Sequence, residues 1–168
     1  MSISEAVAAA STYLTEHPDE ARYRNSVARA RIDEGLAVLV GDPEGFEIRT
    51  DMPRGIGGGA SAPSPGWLFR AAIASCVASL VGIRAATLGI SLDSVEVEVD
   101  SESDDRGILG LDEAIPAGPL SARIVVALRA HGRAIAELDE LARWAVDHCP
   151  VADGLRRAVP VEVEVRAT

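Results

Sequence analysis

The sequence contains no lysine, and aromatic residues make up only 4% of its 168 residues. Because the sixteen basic residues are therefore all arginine, any cation in a functional site must be a guanidinium group. The formal net charge is −10, which repels phosphate backbones and anionic lipid surfaces. Nucleic acid is not an expected partner.

Long apolar runs and a secretory signal are also lacking. Residues 1–7 have no positively charged start followed by an apolar stretch and a cleavage site. Arg70 and Arg84 interrupt the most apolar region, so we expect no membrane-spanning helix. These features predict a cytoplasmic protein. In a reducing compartment, two cysteines favour redox activity or free thiols over a permanent structural disulfide.

The length and a hydrophobic content of 48% predict one globular domain over residues 1–168. Residues 1–20 predict an N-terminal helical extension, with Ser4 as N-cap. Residues 23–52 alternate between apolar and polar positions around turn residues, which predicts a three-stranded antiparallel meander. Residues 53–65 are rich in glycine and proline and are interpreted as a flexible connecting loop.

Residues 66–166 predict helix, strand, strand, helix and strand. The first helix covers residues 66–88 and is closed by Gly89. Strands are expected over 92–100 and 122–130, a helix over 134–148 with Ile135 on its buried side, and a last strand over 161–165. Strands grouped together with segregated helices indicate the α+β class.

Cys76 and Cys149 are the candidate catalytic residues. Cys76 lies in a helix of small residues, and Cys149 opens the tripeptide Cys-Pro-Val where the second long helix stops. A thiol that reacts with peroxide or a disulfide must be partly buried and must lie close to a second sulfur. The alternative is that both are inert buried cysteines, because free cysteine is among the most buried residue types.

A nearby cation lowers the pKa of a thiol and so favours the reactive thiolate. The sequence does not identify which arginine lies near Cys76. Arg29 and Arg31 lie on one face of their strand and are our candidates, although solvated strand positions explain them equally well. The other arginines considered are Arg24, Arg70 and Arg84.

Other sites have less support. The three histidines lack metal-site spacing, so neither a metal nor a cofactor is expected. His148 adjoins Cys149 and could activate it, or could simply favour a helix C-terminus. Trp67 and Trp144 could wall an apolar pocket, or could serve packing alone.

Several motifs in combination resemble the OsmC/Ohr family, the osmotically inducible protein C and organic hydroperoxide resistance proteins. They are the glycines at 57–59, Ala-Pro-Ser-Pro at 62–65, the helix bearing Cys76, the stretch 89–95, and residues 141–151 ending in Cys-Pro-Val. The resemblance covers about residues 27–165, nearly all of the chain except the first helix.

The resemblance implies an OsmC-like fold, in which curved antiparallel sheets wrap two long central helices in an intertwined homodimer, here with an extra N-terminal helix. It implies that Cys76 attacks a hydroperoxide and becomes a sulfenic acid. Cys149 then resolves it as a disulfide, which a dithiol partner such as a lipoyl protein or a thioredoxin-like protein reduces. An arginine, for which Arg29 and Arg31 are the candidates, would hold the thiolate.

The sequence departs from the family pattern after Pro65. An acidic residue that orients the arginine is expected there, but Gly66 and Trp67 follow instead. Glu34, Glu47 or Asp51 could hold the arginine in its place. Three hypotheses follow: a thiol peroxidase, a non-catalytic protein that binds an apolar ligand at the dimer interface with Trp67, and a structural dimer with inert cysteines.

Overall fold

A computed structural model describes residues 1–167. The chain forms two compact units, Met1–Ala72 and Ile73–Thr168. One domain over residues 1–168 stays a prediction. The chain contains helices and antiparallel strands, in agreement with the α+β class.

The first unit begins with α1 (Ile3–Glu16), whose N-cap is Ser2. The Ser4 assignment was therefore wrong by half a turn. The Ser2 hydroxyl accepts a hydrogen bond from the Glu5 N–H at 3.2 Å, and the Glu5 carboxylate accepts one from the Ser2 N–H at 2.7 Å. This reciprocal capping box satisfies two of the N–H groups that a helix start leaves unpaired. A 3₁₀ turn over Pro18–Ala21 follows α1.

The three-stranded meander is confirmed. Strands β1 (Arg29–Glu34), β2 (Ala37–Gly41) and β3 (Glu47–Thr50) pair in that order, each antiparallel to the next. Gly35 turns the chain between β1 and β2 with φ +59°, a conformation that favours glycine. A register shift between Ile32 and Glu34 marks a bulge before that turn.

The glycine-rich loop is held by Asp51 rather than being a flexible connector. The residue is 3% exposed. One carboxylate oxygen accepts hydrogen bonds from Gly59 N–H at 3.1 Å and from the N–H and hydroxyl of Ser61 at 3.0 and 2.8 Å. Gly58 passes so close to Met52 that an added Cβ would lie 1.9 Å from its carbonyl oxygen. The loop therefore has a defined shape that requires glycine.

The long helix α2 (Pro65–Thr87) begins with Pro65 in its first turn, where a missing N–H costs nothing. Its buried residues recur every fourth position along one stripe, Ile73, Val77, Val81 and Ala85. Gly89, with φ +66°, closes the helix as predicted, and the Ile90 N–H donates to the Ala85 carbonyl at 2.9 Å. Within residues 1–167, α2 is the one helix long and apolar enough to span a membrane by length and composition, a test that core helices of soluble proteins also pass.

The second unit contains β4 (Ser94–Glu102) and β5 (Ser121–Arg129), which form an antiparallel pair. The short helix α3 (Asp105–Ile108) lies in the loop between them. Helix α4 (Ile135–Asp147) buries Leu141 and Ala145, whereas α5 (Pro150–Arg156) buries Ala152. The stripe on α2 and these residues form the core of this unit.

Two expectations for the second unit were wrong. Ile135 is 87% exposed rather than buried, because it occupies the first position of α4. Residues 158–167 form neither helix nor strand, and Val161, Val163 and Val165 are each more than 80% exposed. A strand requires a hydrogen-bonded neighbour, and β4 and β5 pair only with each other in the described chain.

Candidate functional site

The structure brings Cys76 and Cys149 together within the second unit. Cys76 projects from the middle of α2 and is partly buried, and Cys149 directly precedes α5 and is completely buried. Both are free thiols, and their side chains are in hydrogen-bonding contact. The two sulfurs are therefore placed for a thiol–disulfide reaction within one chain.

Local sequence explains the position of Cys149. Helix α4 ends at Asp147, and Pro150 starts α5 in its first turn, where proline is favoured. The Cys149 sulfur acts as the N-cap and accepts a hydrogen bond from the Ala152 N–H at 3.4 Å. Between two helices, the backbone of Cys149 turns and fixes the direction of its thiol.

Burial is the largest cause of a raised pKa at Cys76, because the thiolate loses water. The hydrogen bond to Cys149 and the charge of that sulfur raise the pKa further, since a proton shared between sulfurs favours the neutral thiol. The backbone N–H of Val151 opposes these effects by donating to Cys76. The start of α5 thus provides Cys76 with both a partner sulfur and a hydrogen-bond donor.

His148 contacts Trp144 rather than activating Cys149. Its Nδ1 donates to the Trp144 carbonyl oxygen at 2.8 Å, and the two rings stack with centroids 4.1 Å apart. The ring therefore binds the C-terminal turn of α4, which was the other interpretation of this histidine.

The candidate arginines lie in different places. Arg29 and Arg31 are exposed on β1 of the first unit, and the Arg31 guanidinium lies 3.8 Å from the Asp33 carboxylate. Arg84 belongs to the second unit, but its guanidinium lies over the Trp144 ring at 4.8 Å. The identity of the arginine that would serve Cys76 stays a prediction.

Of the three acids proposed to orient an arginine, Asp51 has a role within its own loop. Asp51 is occupied by the backbone and hydroxyl groups of its own loop, which hold the pKa of its carboxyl below the ordinary value, Ser61 contributing most. It is therefore a structural carboxylate.

Trp67, in the first turn of α2, is 49% exposed. No group of three or more potential metal ligands occurs among residues 1–167.

Sequence reasoning missed the two backbone donors near the sulfurs, the N–H groups of Val151 and Ala152. Proline after Cys149 was interpreted as part of a helix stop. The same proline is a signal for the first turn of a new helix, and that reading would have predicted α5.

Comparison with known proteins identifies the family to which this chain belongs. The sequence profile of the family described as "OsmC-like protein" matches residues 57–164, most of the chain. The chain belongs to the OsmC-like protein family. No sequence among curated proteins gives a significant match.

Solved structures show the same fold at low sequence identity. An OsmC-like protein from Mycoplasma pneumoniae is 14% identical, with a TM-score of 0.69 over 82% of this chain and 91% of that one. An organic hydroperoxide resistance protein OsmC from Legionella pneumophila is 24% identical, with a TM-score of 0.60 over 80% and 91%. The organic hydroperoxide resistance protein OhrB of Bacillus subtilis is 20% identical, with a TM-score of 0.54 over 85% and 98%. These similarities establish the OsmC-like fold.

Proposed function

We propose that this protein is a cysteine-based thiol peroxidase that reduces organic or inorganic hydroperoxides in defence against oxidative stress. The observation that carries the proposal is the contact between the Cys76 and Cys149 thiols. Structural relatives described as organic hydroperoxide resistance proteins support the substrate class.

The chemistry has two steps on the protein. The Cys76 thiolate attacks the terminal oxygen of the hydroperoxide and the O–O bond breaks. The departing oxygen takes up the proton that the thiol had released, so the products are a Cys76 sulfenic acid and an alcohol, or water when the substrate is hydrogen peroxide. The Cys149 thiol then attacks the oxidised sulfur, releasing water and forming the disulfide. A dithiol reductant, a lipoyl protein or a thioredoxin-like protein, returns both cysteines to thiols. Cys76 is partly exposed and Cys149 is completely buried, which suits the peroxide-reactive and resolving roles respectively.

The activating cation in this proposal is Arg29 or Arg31. Burial and the neighbouring sulfur raise the pKa of Cys76, so a guanidinium is needed to stabilise its thiolate. Both residues lie at alternate positions of β1 and therefore share one face of the strand.

We also propose that the active form is a homodimer. Only 17% of the most apolar 18-residue window of α2 is buried inside one chain. A long apolar helix with so little cover is typical of an interface. The valines at 161, 163 and 165 are likewise exposed at strand spacing and are available to a second chain. We also propose a cytoplasmic location, where a reducing environment would return both cysteines to free thiols between turnovers.

A second candidate function is non-catalytic binding of a small apolar ligand at the dimer interface. The observation in its favour is that Gly66 and the exposed Trp67 occupy the place of the expected carboxylate. Purified dimer that binds a fatty or aromatic hydroperoxide analogue without consuming the peroxide would support this function. Unchanged binding after Trp67→Ala would remove its basis.

The test of the peroxidase is thiol titration of the reduced protein before and after one equivalent of cumene hydroperoxide, with intact mass spectrometry. We expect rapid loss of both thiols and a mass decrease of two hydrogen atoms. Cys76→Ser should retain its remaining thiol and consume no peroxide. Cys149→Ser should instead gain one oxygen atom, because the sulfenic acid finds no resolving sulfur.

Survival of both thiols in the wild-type protein would contradict the proposal. So would full peroxide turnover by Cys76→Ser. Circular dichroism of each variant distinguishes loss of chemistry from loss of folding.

A further inference from the structure

A cavity of about 410 Å³ lies between the C-terminal end of α2 and residues 137–144 of α4, within the second unit. Neither cysteine lines it. Arg84, one of its walls, is eight residues beyond Cys76, which places it about 12 Å further along the helix axis. The residues that line the cavity are Arg84, Leu88, Ile90, Arg133, Glu137, Glu140, Leu141 and Trp144.

The floor of the cavity is apolar and rigid. Ile90 and Leu141 belong to the core, with exposures of 8% and 2%. The Gly89 turn that ends α2 holds Ile90 in place. The indole of Trp144 forms an aromatic wall that is fixed further by stacking on His148. Such a surface is suited to the apolar part of a small molecule.

One cation of the cavity is already neutralised and the other is not. Arg133 donates to the Gly89 carbonyl at 3.1 Å and lies 3.7 Å from the Glu137 carboxylate. Arg84 lies over the Trp144 ring, and no carboxylate of residues 1–167 is within ion-pair distance of it. The aromatic ring orients this guanidinium while leaving its N–H donors for another partner.

Of the two glutamates that line the cavity, one has a cationic partner and the other has none among the described residues. Glu137 accepts from the Ala134 N–H at 3.0 Å and faces Arg133. Glu140 is exposed at the rim and makes no ion pair with any described residue. The cavity therefore combines an apolar floor with one guanidinium and one carboxylate that lack charged partners.

We infer that this cavity binds a small zwitterion with an apolar body, of the class of the apolar α-amino acids. The ligand carboxylate pairs with Arg84, the ammonium pairs with Glu140, and the side chain packs on Leu141 and Trp144. A plain carboxylate would face the negative charge of the two glutamates, and a plain amine would face the two guanidinium groups. The volume lies within the usual range for small-molecule sites.

The test is isothermal titration calorimetry of the full chain with three probes that share one aromatic body: L-phenylalanine, 3-phenylpropionate and phenethylamine. We expect L-phenylalanine to bind in the millimolar range or tighter, and about fivefold or more tightly than either singly charged probe. Arg84→Gln and Glu140→Gln should each weaken it about fivefold. Arg143→Gln, on α4 but outside the cavity lining, should bind normally.

Absence of saturable binding by L-phenylalanine would overturn the inference. Equal affinity for 3-phenylpropionate would overturn the zwitterionic class, and unchanged binding by both cavity variants would overturn the site. A circular dichroism spectrum of each variant shows whether the fold is intact, and Glu140→Gln, at an exposed position, provides the answer if Arg84→Gln does not fold. Because the cavity excludes both cysteines, Cys76→Ser should bind L-phenylalanine normally whether or not the peroxidase proposal holds.

Discussion

The thiols of Cys76 and Cys149 are in hydrogen-bonding contact, although 72 residues separate them in sequence. Cys76 lies on a helix, whereas Cys149 lies at the junction of two others. Contact between two free thiols raises the pKa of Cys76 while keeping a second sulfur adjacent. The same arrangement thus lowers the fraction of Cys76 that is thiolate at neutral pH and shortens the path to a disulfide.

In the proposed peroxidase mechanism, the rate of peroxide reduction should rise with pH. The reacting species is the thiolate, and the pKa of Cys76 lies above its ordinary value because of burial and the Cys149 sulfur. Below that pKa the thiolate fraction increases about tenfold per pH unit. We expect the second-order rate of Cys76 oxidation to increase by close to this factor from neutral pH upward, as measured by stopped-flow fluorescence. A rate that is flat with pH above neutrality would show that the thiolate is already formed.

Cys149→Ala should lower the pKa of Cys76. It removes a hydrogen bond and a charge that favour the neutral thiol, while the burial contribution stays. The pH dependence of Cys76 alkylation by iodoacetamide should therefore level off at a lower pH in this variant.

Cys149→Ser is the matched control, because serine keeps a hydrogen-bonding group but does not ionise in this range. Its alkylation midpoint should lie between those of the wild type and Cys149→Ala. A midpoint for Cys149→Ala at or above the wild-type value would contradict the thiol contact.

Gly58→Ala should destabilise the protein by about 2–3 kcal/mol. Its Cβ would lie 1.9 Å from the Met52 carbonyl oxygen and 2.3 Å from the carbonyl carbon, so backbone must move. Gly55→Ala, in the same loop with nothing within 4 Å of the added carbon, should change stability by less than about 0.5 kcal/mol. Urea unfolding measures the free energy of unfolding of both variants. Equal stability of the two would mean that the loop backbone moves at little energetic cost.

Asp51→Asn should destabilise the protein at neutral pH, because an amide cannot accept all the hydrogen bonds that the carboxylate accepts. The pKa of Asp51 is lowered by folding, so its contribution is complete above the unfolded pKa and is lost as the pH falls through the folded one. The difference between wild type and variant should therefore shrink in acid.

Thermal unfolding at neutral and acidic pH measures this difference. Asp42→Asn is the control, because Asp42 is partly exposed, unlike Asp51, and asparagine can accept the same turn hydrogen bonds from Glu44 and Phe46. Equal losses for the two variants at neutral pH would contradict the special role of Asp51.

The meander could be predicted because its apolar and polar residues alternate with the period of a strand, and α2 because Pro65 and Gly89 mark its two ends. The last strand could not. Its valines alternate correctly, but alternation does not supply a neighbouring strand, and residues 158–167 find none in the described chain. Ile135 was misplaced because the first residue of a helix need not share the buried face of later turns.

The chemistry of the site was only partly visible in the sequence. Cys76 and Cys149 could be named from their residue type and flanking segments. Their contact, the raised pKa of Cys76 and the donor at Val151 depend on which backbone atoms surround the sulfurs. Tertiary structure alone supplies that information. The same holds for Asp51, whose role in the glycine-rich loop depends on donors up to ten residues away.

The contact between the two sulfurs also determines the kinetics of disulfide formation. Both belong to one chain and lie next to each other before any oxidant arrives. In the proposed mechanism, closure of the disulfide is therefore a first-order process whose half-life does not change on dilution of the protein. Only the encounters with peroxide and with the reductant depend on concentration, so at low peroxide the oxygen-bearing intermediate stays scarce and is protected from further oxidation.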